Sequence, residues 1–591
     1  MRATNAILKR CFGLWMTLAL AAVPLVGLSS APGHTSEPLP EGRQAELRAQ
    51  MAEFVADRPK TVLELQPFRA TMRAETADGA ALRLVSINPA AQAWYLLEIT
   101  PRPGARAQRY HIENADPAKW RIRLRPGDDP ALVFESATAR HECRPWRGAT
   151  SELDAARKRG LPYAPICGDR AYLRNAARGA RSSREAIAEF LRDNVAFGDD
   201  LVTMIKGAFY EDAFMQSGDI LAEADGGRVA ATLGRARMAG IPVMRAYFGW
   251  ELEGTSNGRM EAGAWYAVKD APGIYASAMQ PGMIDPDILN RRGEASRLDG
   301  VERRADVYLV AFDMAEFEIG FELGTEHPRL GWSPRPRGAG RDYSLPGPDG
   351  IDRAAPLVRT GMLTPSFADR VAATFTGGFK RSHGAFKWSD MATYNHGHHY
   401  GFASKGAILS KLQPDLATLF VLDDGSLHMR TWREADAELL PRVVMARQNG
   451  VPLIAPDPET GEGVPGKFVR SWGGGNWSGS ADADLRTLRA GACMKDVAGR
   501  QFLIYAYFST ATPSAMARTF QAYGCRYAML LDMNAQEHTY MALYTQGETG
   551  PVPHHLVSRM SAIDARRRDG STMPRFVAYP DNRDFFYLLR K

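Results

Sequence analysis

A chain of 591 residues is too long for one ordinary core and implies two or three domains. With 45% hydrophobic and 24% charged residues it is neither a disordered nor a polytopic membrane protein. The formal net charge of +6 is scattered, with one short basic run at Arg566-Arg567-Arg568, so the chain carries no electrostatic footprint for nucleic acid.

Lys9 and Arg10 precede an apolar run, residues 11–28, and Ser29-Ser30-Ala31 offers small residues for cleavage. Residues 1–31 therefore read as a signal peptide, with a retained membrane anchor as the alternative, because the run is near the lower length of a spanning helix. On either reading the body of the protein is expected to be periplasmic or extracellular. Beyond this segment four cysteines remain. Pairing Cys143 with Cys167 and Cys493 with Cys525 would close one loop in each half of the chain; four buried free thiols are the other reading. No CxxC spacing marks a thiolate metal site.

Residues 32–60 read as a polar tether with a short helix from Gln44 to Val55. Residues 61–300 read as an accessory domain, a β-rich lobe followed by helices, to which the residues assign no role. Its strands are expected at 81–87, 93–99 and 119–125, where apolar residues alternate or run together between Pro, Gly and Asn-Pro breaks. Ser182-Ser183-Arg184-Glu185 has the pattern of a capping box, and Ile187, Phe190, Leu191 and Val195 then form one apolar stripe. Further helices are expected around Leu201–Phe214 and Val229–Ala239, and a strand over 241–250.

A second unit spans 305–591. It opens with strands over 307–313 and 317–323, then a loop from His327 to Pro356 with six prolines and five glycines, long enough to serve as a lid. The apolar run Val371–Phe375 leads into Thr376-Gly377-Gly378-Phe379, where paired glycines would let backbone N–H groups approach a ligand. Lys380, Arg381 and His383 follow, and then His396, His398 and His399, which with Asp390 are weak candidates for a zinc site; no cofactor is expected. Asp424-Gly425 between two apolar runs signals a hairpin. Trp472 and Trp477 lie in a glycine-rich loop of the kind that stacks on sugar rings, or packs under the loop. A strand at 502–508, a helix opening at Thr512-Pro513 and a strand at 526–532 follow. The last ends in Asp532-Met533-Asn534, with Glu537 and His538 just beyond. A carboxylate ending an apolar strand is costly unless it is paired or used, which makes Asp532 the leading single candidate. The fold class is α+β, a mixed β-sheet C-terminal domain preceded by the β-rich and helical accessory domain.

In the order of these elements, residues 305–591 resemble the phosphodiester glycosidase family. The family's strand ending in Asn-Gly-Gly-Phe-Phe is matched by Thr376-Gly377-Gly378-Phe379-Lys380, and its Asp-Gly hairpin by Asp424-Gly425. Its Arg-Ser/Thr-Gly/Ala segment is matched by Arg489-Ala490-Gly491, and its helix, glycine and strand into Asp-Gly-Gly-x-Ser by Gly524 through Asp532-Met533-Asn534. Thr376 replaces the family's Asn, and Met-Asn-Ala-Gln replaces Gly-Gly-x-Ser, which removes backbone donors suited to phosphate. The resemblance implies an exported hydrolase of sugar-1-phosphodiesters or related envelope glycan linkages. In it Asp532 stabilises charge or activates water, His383 exchanges protons, and Arg489 grips the phosphate. Thr376, Gly377, Gly378, Asn534, Trp472 and Trp477 would bind the substrate, a carbohydrate or sugar-phosphate polymer. The alternative is a non-catalytic protein that binds an envelope polymer through the same groove.

Overall fold

Long runs of β-branched and aromatic residues free of proline become the central strands. The computed structural model describes residues 59–148, 150–194, 211–221, 233–331, 351–380, 400–470 and 484–591, together with Ala45. An eight-stranded antiparallel sheet runs, in spatial order, Tyr266–Ala267, Ile274–Met279, Val307–Asp313, Arg500–Ala511, Thr487–Val497, Tyr527–Met533, Ile454–Pro456 and Gly463–Pro465. The helix Pro513–Ala522 returns from this sheet onto its face, with Thr512 capping the Ala515 N–H at 3.3 Å and Pro513 in the first turn. Gly491 permits that contact, since a Cβ there would come within 2.9 Å of Met516 and 3.0 Å of Phe520.

A five-stranded sheet has the order Phe317–Glu322, Phe585–Arg590, Val371–Thr376, Met541–Gly547 and Gly550–His555. Another contains the expected hairpin, Ala417–Leu422 turning at Asp424-Gly425 into Leu427–Thr431. One continuous apolar core joins these sheets. A second, smaller core fills the lobe built on the six-stranded sheet Ala70–Glu75, Ala81–Ser86, Trp94–Thr100, Gln108–Asn114, Ala171–Arg174 and Tyr163–Ile166. The fold is thus α+β. Cys143 is bonded to Cys167 and Cys493 to Cys525, so the paired reading of the cysteines holds.

The lobe is joined to the C-terminal sheets by buried charge. Arg174 pairs with Glu113 and, at 2.9 Å, with Glu322; Lys405 pairs with Glu113 and, at 3.1 Å, with Glu322. Burial alone would raise the Glu113 carboxyl, but Lys405 and Arg174 hold it down at about 2.

Several local expectations are corrected. Residues 234–239 are not helical. Arg235 bridges Ala264 and Met238 bridges Ile284, while the Ala236 and Arg237 N–H groups donate to Gly263 and Ala522 carbonyls, each at 2.8 Å. Tertiary partners claim the backbone bonds a helix would have needed. The strand at 241–250 shrinks to Val243–Arg245. A helix over Glu152–Arg159, capped by Ser151, was not foreseen. Helix Ser183–Asn194 is present, but Ile187 and Phe190 of its apolar stripe are 60% and 61% exposed. The signal segment, all of the tether helix but the helical Ala45, residues 201–210 and most of the lid loop lie outside the described residues. Among the described residues no helix is long and apolar enough to cross a membrane.

Candidate functional site

Asp532 is next to the end of strand Tyr527–Met533 and is 4% exposed. Its Oδ1 accepts the Met533 N–H at 2.8 Å, and its Oδ2 is paired with Arg583. Arg583 lies just ahead of strand Phe585–Arg590, and its own N–H donates to Asp581 Oδ1 at 2.9 Å. The guanidinium also donates to Glu185 Oε1 at 2.9 Å and to His538 Nε2 at 2.6 Å. His538 Nδ1 is 2.7 Å from the Met533 carbonyl. That carbonyl can only accept and Arg583 can only donate, so the proton is assigned to Nδ1 and the ring is neutral. Burial and the charge of Arg583 push His538 below its ordinary value, in agreement with this tautomer.

Glu185 is the far wall of the cluster. Burial would raise its carboxyl, but Arg583 first and His327 second hold it well below the carboxylate range. Lys380 lies 3.6 Å from Glu185 Oε1 and is paired with Glu189, one turn further along the same helix. Burial pushes Lys380 down to about 8, against the pull of Glu185. Behind them His327 Nε2 is 3.8 Å from Glu185 and Nδ1 is 3.6 Å from Asp584 Oδ1. Both His327 nitrogens and Asp584 Oδ1 are buried with no hydrogen-bond partner among the described residues. Asp584 Oδ2 is held by Arg447 Nε at 2.7 Å.

The cluster backs onto a polar cavity of about 670 Å³. Lys380 and Glu189 reach its wall, joined there by Arg181, Glu326, Arg329 and Arg359. Most of the side chains that face this space are charged, with Phe190 and Leu330 beside them, so it suits an anion that carries an apolar or sugar portion. Among the described residues the one grouping of metal-ligand type atoms is Cys143, Glu152 and Cys167, whose two sulfurs are already bonded to each other.

The residues expected from sequence divide. Asp532 and the Thr376–Lys380 segment come together, because Thr376 Oγ1 donates to the His538 carbonyl. The twin glycines serve close packing. The Gly377 N–H donates to the Asp584 carbonyl at 2.9 Å, and a Cβ on Gly377 would sit 2.9 Å from Asp584 Oδ2. Gly378 has φ +150°, and a Cβ there would sit 2.9 Å from Asn449. Arg489 lies inside a strand opposite Met533, not ahead of one. It is fully buried and donates to Ala511 O at 2.7 Å, Leu485 O at 2.9 Å and Met533 Sδ at 3.3 Å. Side chains alternate along a strand, so Arg489, on the Met533 side, faces away from Asp532. Burial pushes its guanidinium down to about 9. Asn534 adopts φ +80°, at the position where the resembled family has glycine, and its N–H donates to Leu488 at 2.8 Å. His383, Asp390, His396, His398, His399, Trp472 and Trp477 lie outside the described residues.

Glu185, Glu189, His327, Arg583 and Asp584 were not foreseen as site residues. Glu185 was read as half of a capping box. Ser182 Oγ does accept the Glu185 N–H at 3.2 Å, but the carboxylate turns to an arginine 398 residues away. Two acids and an arginine in the four residues Asp581–Asp584, directly before the aromatic strand Phe585–Arg590, were the available signal.

No family model and no curated protein matches the chain. Among solved structures, the catalytic domain of zebrafish N-acetylglucosamine-1-phosphodiester alpha-N-acetylglucosaminidase, auto-inhibited by its pro-peptide, is similar at 11% identity with a TM-score of 0.29. That likeness covers 55% of this chain and 85% of that one. A putative exported protein from Burkholderia pseudomallei is similar at 10% identity with a TM-score of 0.18, over 48% of this chain and 74% of that one.

Proposed function

We propose that the chain is an exported hydrolase that cleaves a sugar-1-phosphodiester or a related envelope glycan linkage at the cavity beside Lys380. The observation that carries this reading is the cavity's charged wall, backed by a buried ionic cluster that includes Asp532 and the Thr376–Lys380 motif. Lys380 offsets the phosphate charge, and Glu189 is the carboxylate placed to meet positive charge developing at the sugar carbon or to take a proton from attacking water. The C–O bond to phosphate breaks with its electron pair leaving on phosphate, and water's oxygen takes its place on carbon. The departing phosphomonoester is a good leaving group, so this step needs little general-acid help.

Asp532 is a positioning residue here. It fixes Arg583, which in turn holds Glu185 beside Lys380. The donors of Arg489 are occupied by backbone and sulfur, which suits it to holding the sheet together. His383 as a proton carrier and Trp472 and Trp477 as stacking surfaces remain as read from the sequence. Two disulfides support an oxidising compartment, periplasmic or extracellular.

A second reading, a non-catalytic binder of an envelope polymer, is favoured by the pairing of Asp532, Glu185 and Glu189 with cations in the resting protein. The test is a panel of sugar-1-phosphate diesters followed by phosphorus NMR. The hydrolase releases a phosphomonoester, and Lys380→Met abolishes the release. Diesters bound yet recovered intact after prolonged incubation would overturn hydrolysis in favour of binding.

A further inference from the structure

Of the cationic side chains at the cavity, Arg359 is set apart by its surroundings. Lys380 is paired with Glu189, and Arg181 with Glu326 and, at 3.3 Å, with Glu189. Arg359 makes one hydrogen bond, Nη1 to the Pro328 carbonyl at 3.3 Å, and has no carboxylate partner among the described residues. Burial pushes its guanidinium below the ordinary value with no acid offsetting it. A guanidinium has five N–H donors in a rigid fork, so most of this one is available to the cavity.

Its position is also fixed. The preceding residue, Val358, donates its N–H to His111 Nδ1 at 2.8 Å, and its carbonyl accepts from Arg174 Nε at 3.1 Å. The following residue, Thr360, is bonded to the Tyr163 hydroxyl at 2.9 Å and to Arg174 Nη2 at 3.2 Å. The backbone on both sides of Arg359 is therefore clamped to the Glu113–Arg174 cluster, which lowers the ordering cost of presenting the fork to a ligand.

The charge count sets the kind of ligand. Among the described residues Lys380, Arg181, Arg329 and Arg359 face Glu189, Glu326 and Asp352, four cations against three carboxylates, a formal excess of one positive charge. We infer that Arg359 makes this cavity selective for a singly charged oxyanion, a phosphodiester, over the doubly charged phosphomonoester that hydrolysis would leave. This rests on the cavity of the proposed hydrolase but not on turnover. It supplies a way to release product, since a dianion meets carboxylates that the single excess charge does not offset.

The experiment is equilibrium binding of dimethyl phosphate and of inorganic phosphate to the full chain by calorimetry at pH 7.5. Dimethyl phosphate is expected to bind the more tightly, and Arg359→Gln to weaken it by about 10-fold or more, the worth of a charge-assisted bond. Arg359→Lys should recover part of that loss, because charge returns without the fork. An unchanged melting temperature in both variants excludes misfolding as the cause. Equal binding by wild type and Arg359→Gln, tighter binding of inorganic phosphate, or no binding of either anion would each overturn the inference. Selective binding of dimethyl phosphate without cleavage of any diester would refute the hydrolase and leave the anion site standing.

Discussion

Glu113 and Glu185 are both buried glutamates held by arginine, yet their surroundings differ in kind. Around Glu113 two carboxylates face two cations, and all four carboxylate oxygens of Glu113 and Glu322 have partners. Trp94, Tyr163 and Thr364 complete the carboxylate shell, although His111 Nε2 beside it is buried with no hydrogen-bond partner among the described residues. Around Glu185 the ledger stays open. His327, Asp584 Oδ1 and Arg583 Nε have no hydrogen-bond partner among the described residues, and the side facing Lys380 borders a cavity. Closed buried networks hold elements together, whereas buried polar atoms left unmatched beside a cavity mark where chemistry or binding is set up.

The comparison is tested most severely by cutting the closed cluster. Arg174→Met leaves Lys405 to neutralise two buried carboxylates alone, and stability should fall by about 3–5 kcal/mol in urea unfolding. A loss below about 1 kcal/mol would show that the lobe is not held by this pairing. In the open cluster Asp532→Asn should act on rate more than on stability. Glu185 and His538 still hold Arg583, so unfolding should shift less than with Arg174→Met, while kcat on a sugar-1-phosphodiester should fall on the order of 100-fold through misplacement of the Lys380 wall. An unchanged kcat would remove Asp532 from the site altogether.

The smallest effect is expected from pH, and stability rises with pH through the titration window of each cluster. Lys380 titrates at about 8 in the folded protein against an ordinary 10.5. Its charge is present below 8, so affinity for dimethyl phosphate should decline as pH rises through that value. Its folded value lies below the ordinary one, so charging it costs stability at neutral pH, and that cost lifts between about 8 and 10.5. Glu113, ordinarily 4.5 and here about 2, contributes stability above pH 4.5 that is lost as pH falls through about 2. Anion affinity that stays flat from pH 7 to 10 would take Lys380 out of the binding wall.

Elements defined by their own residues were legible in the sequence. The runs at 307–313, 502–508 and 526–532 are strands, the hairpin turns at Asp424-Gly425, and Thr512-Pro513 opens a helix. Long-range pairing was not legible. A helix is expected around Val229–Ala239, but Ala236 and Arg237 spend their backbone bonds on Gly263 and Ala522. Gly377 and Gly378 were read as ligand contacts, and their backbones instead lie against Asp584 and Asn449. Asp532 could be singled out because a carboxylate ending an apolar strand is locally conspicuous. Glu185 could not, since a glutamate three residues after a serine already has a local explanation.

Strand Phe585–Arg590 lies between Phe317–Glu322 and Val371–Thr376 in its sheet, made roughly 260 and 210 residues earlier. Synthesis therefore reaches residue 590 before that sheet can close, and Arg583 and Asp584 arrive only with it. A nascent chain short of this point lacks this sheet's second strand and the Arg583 and Asp584 partners of Asp532, Glu185 and Arg447.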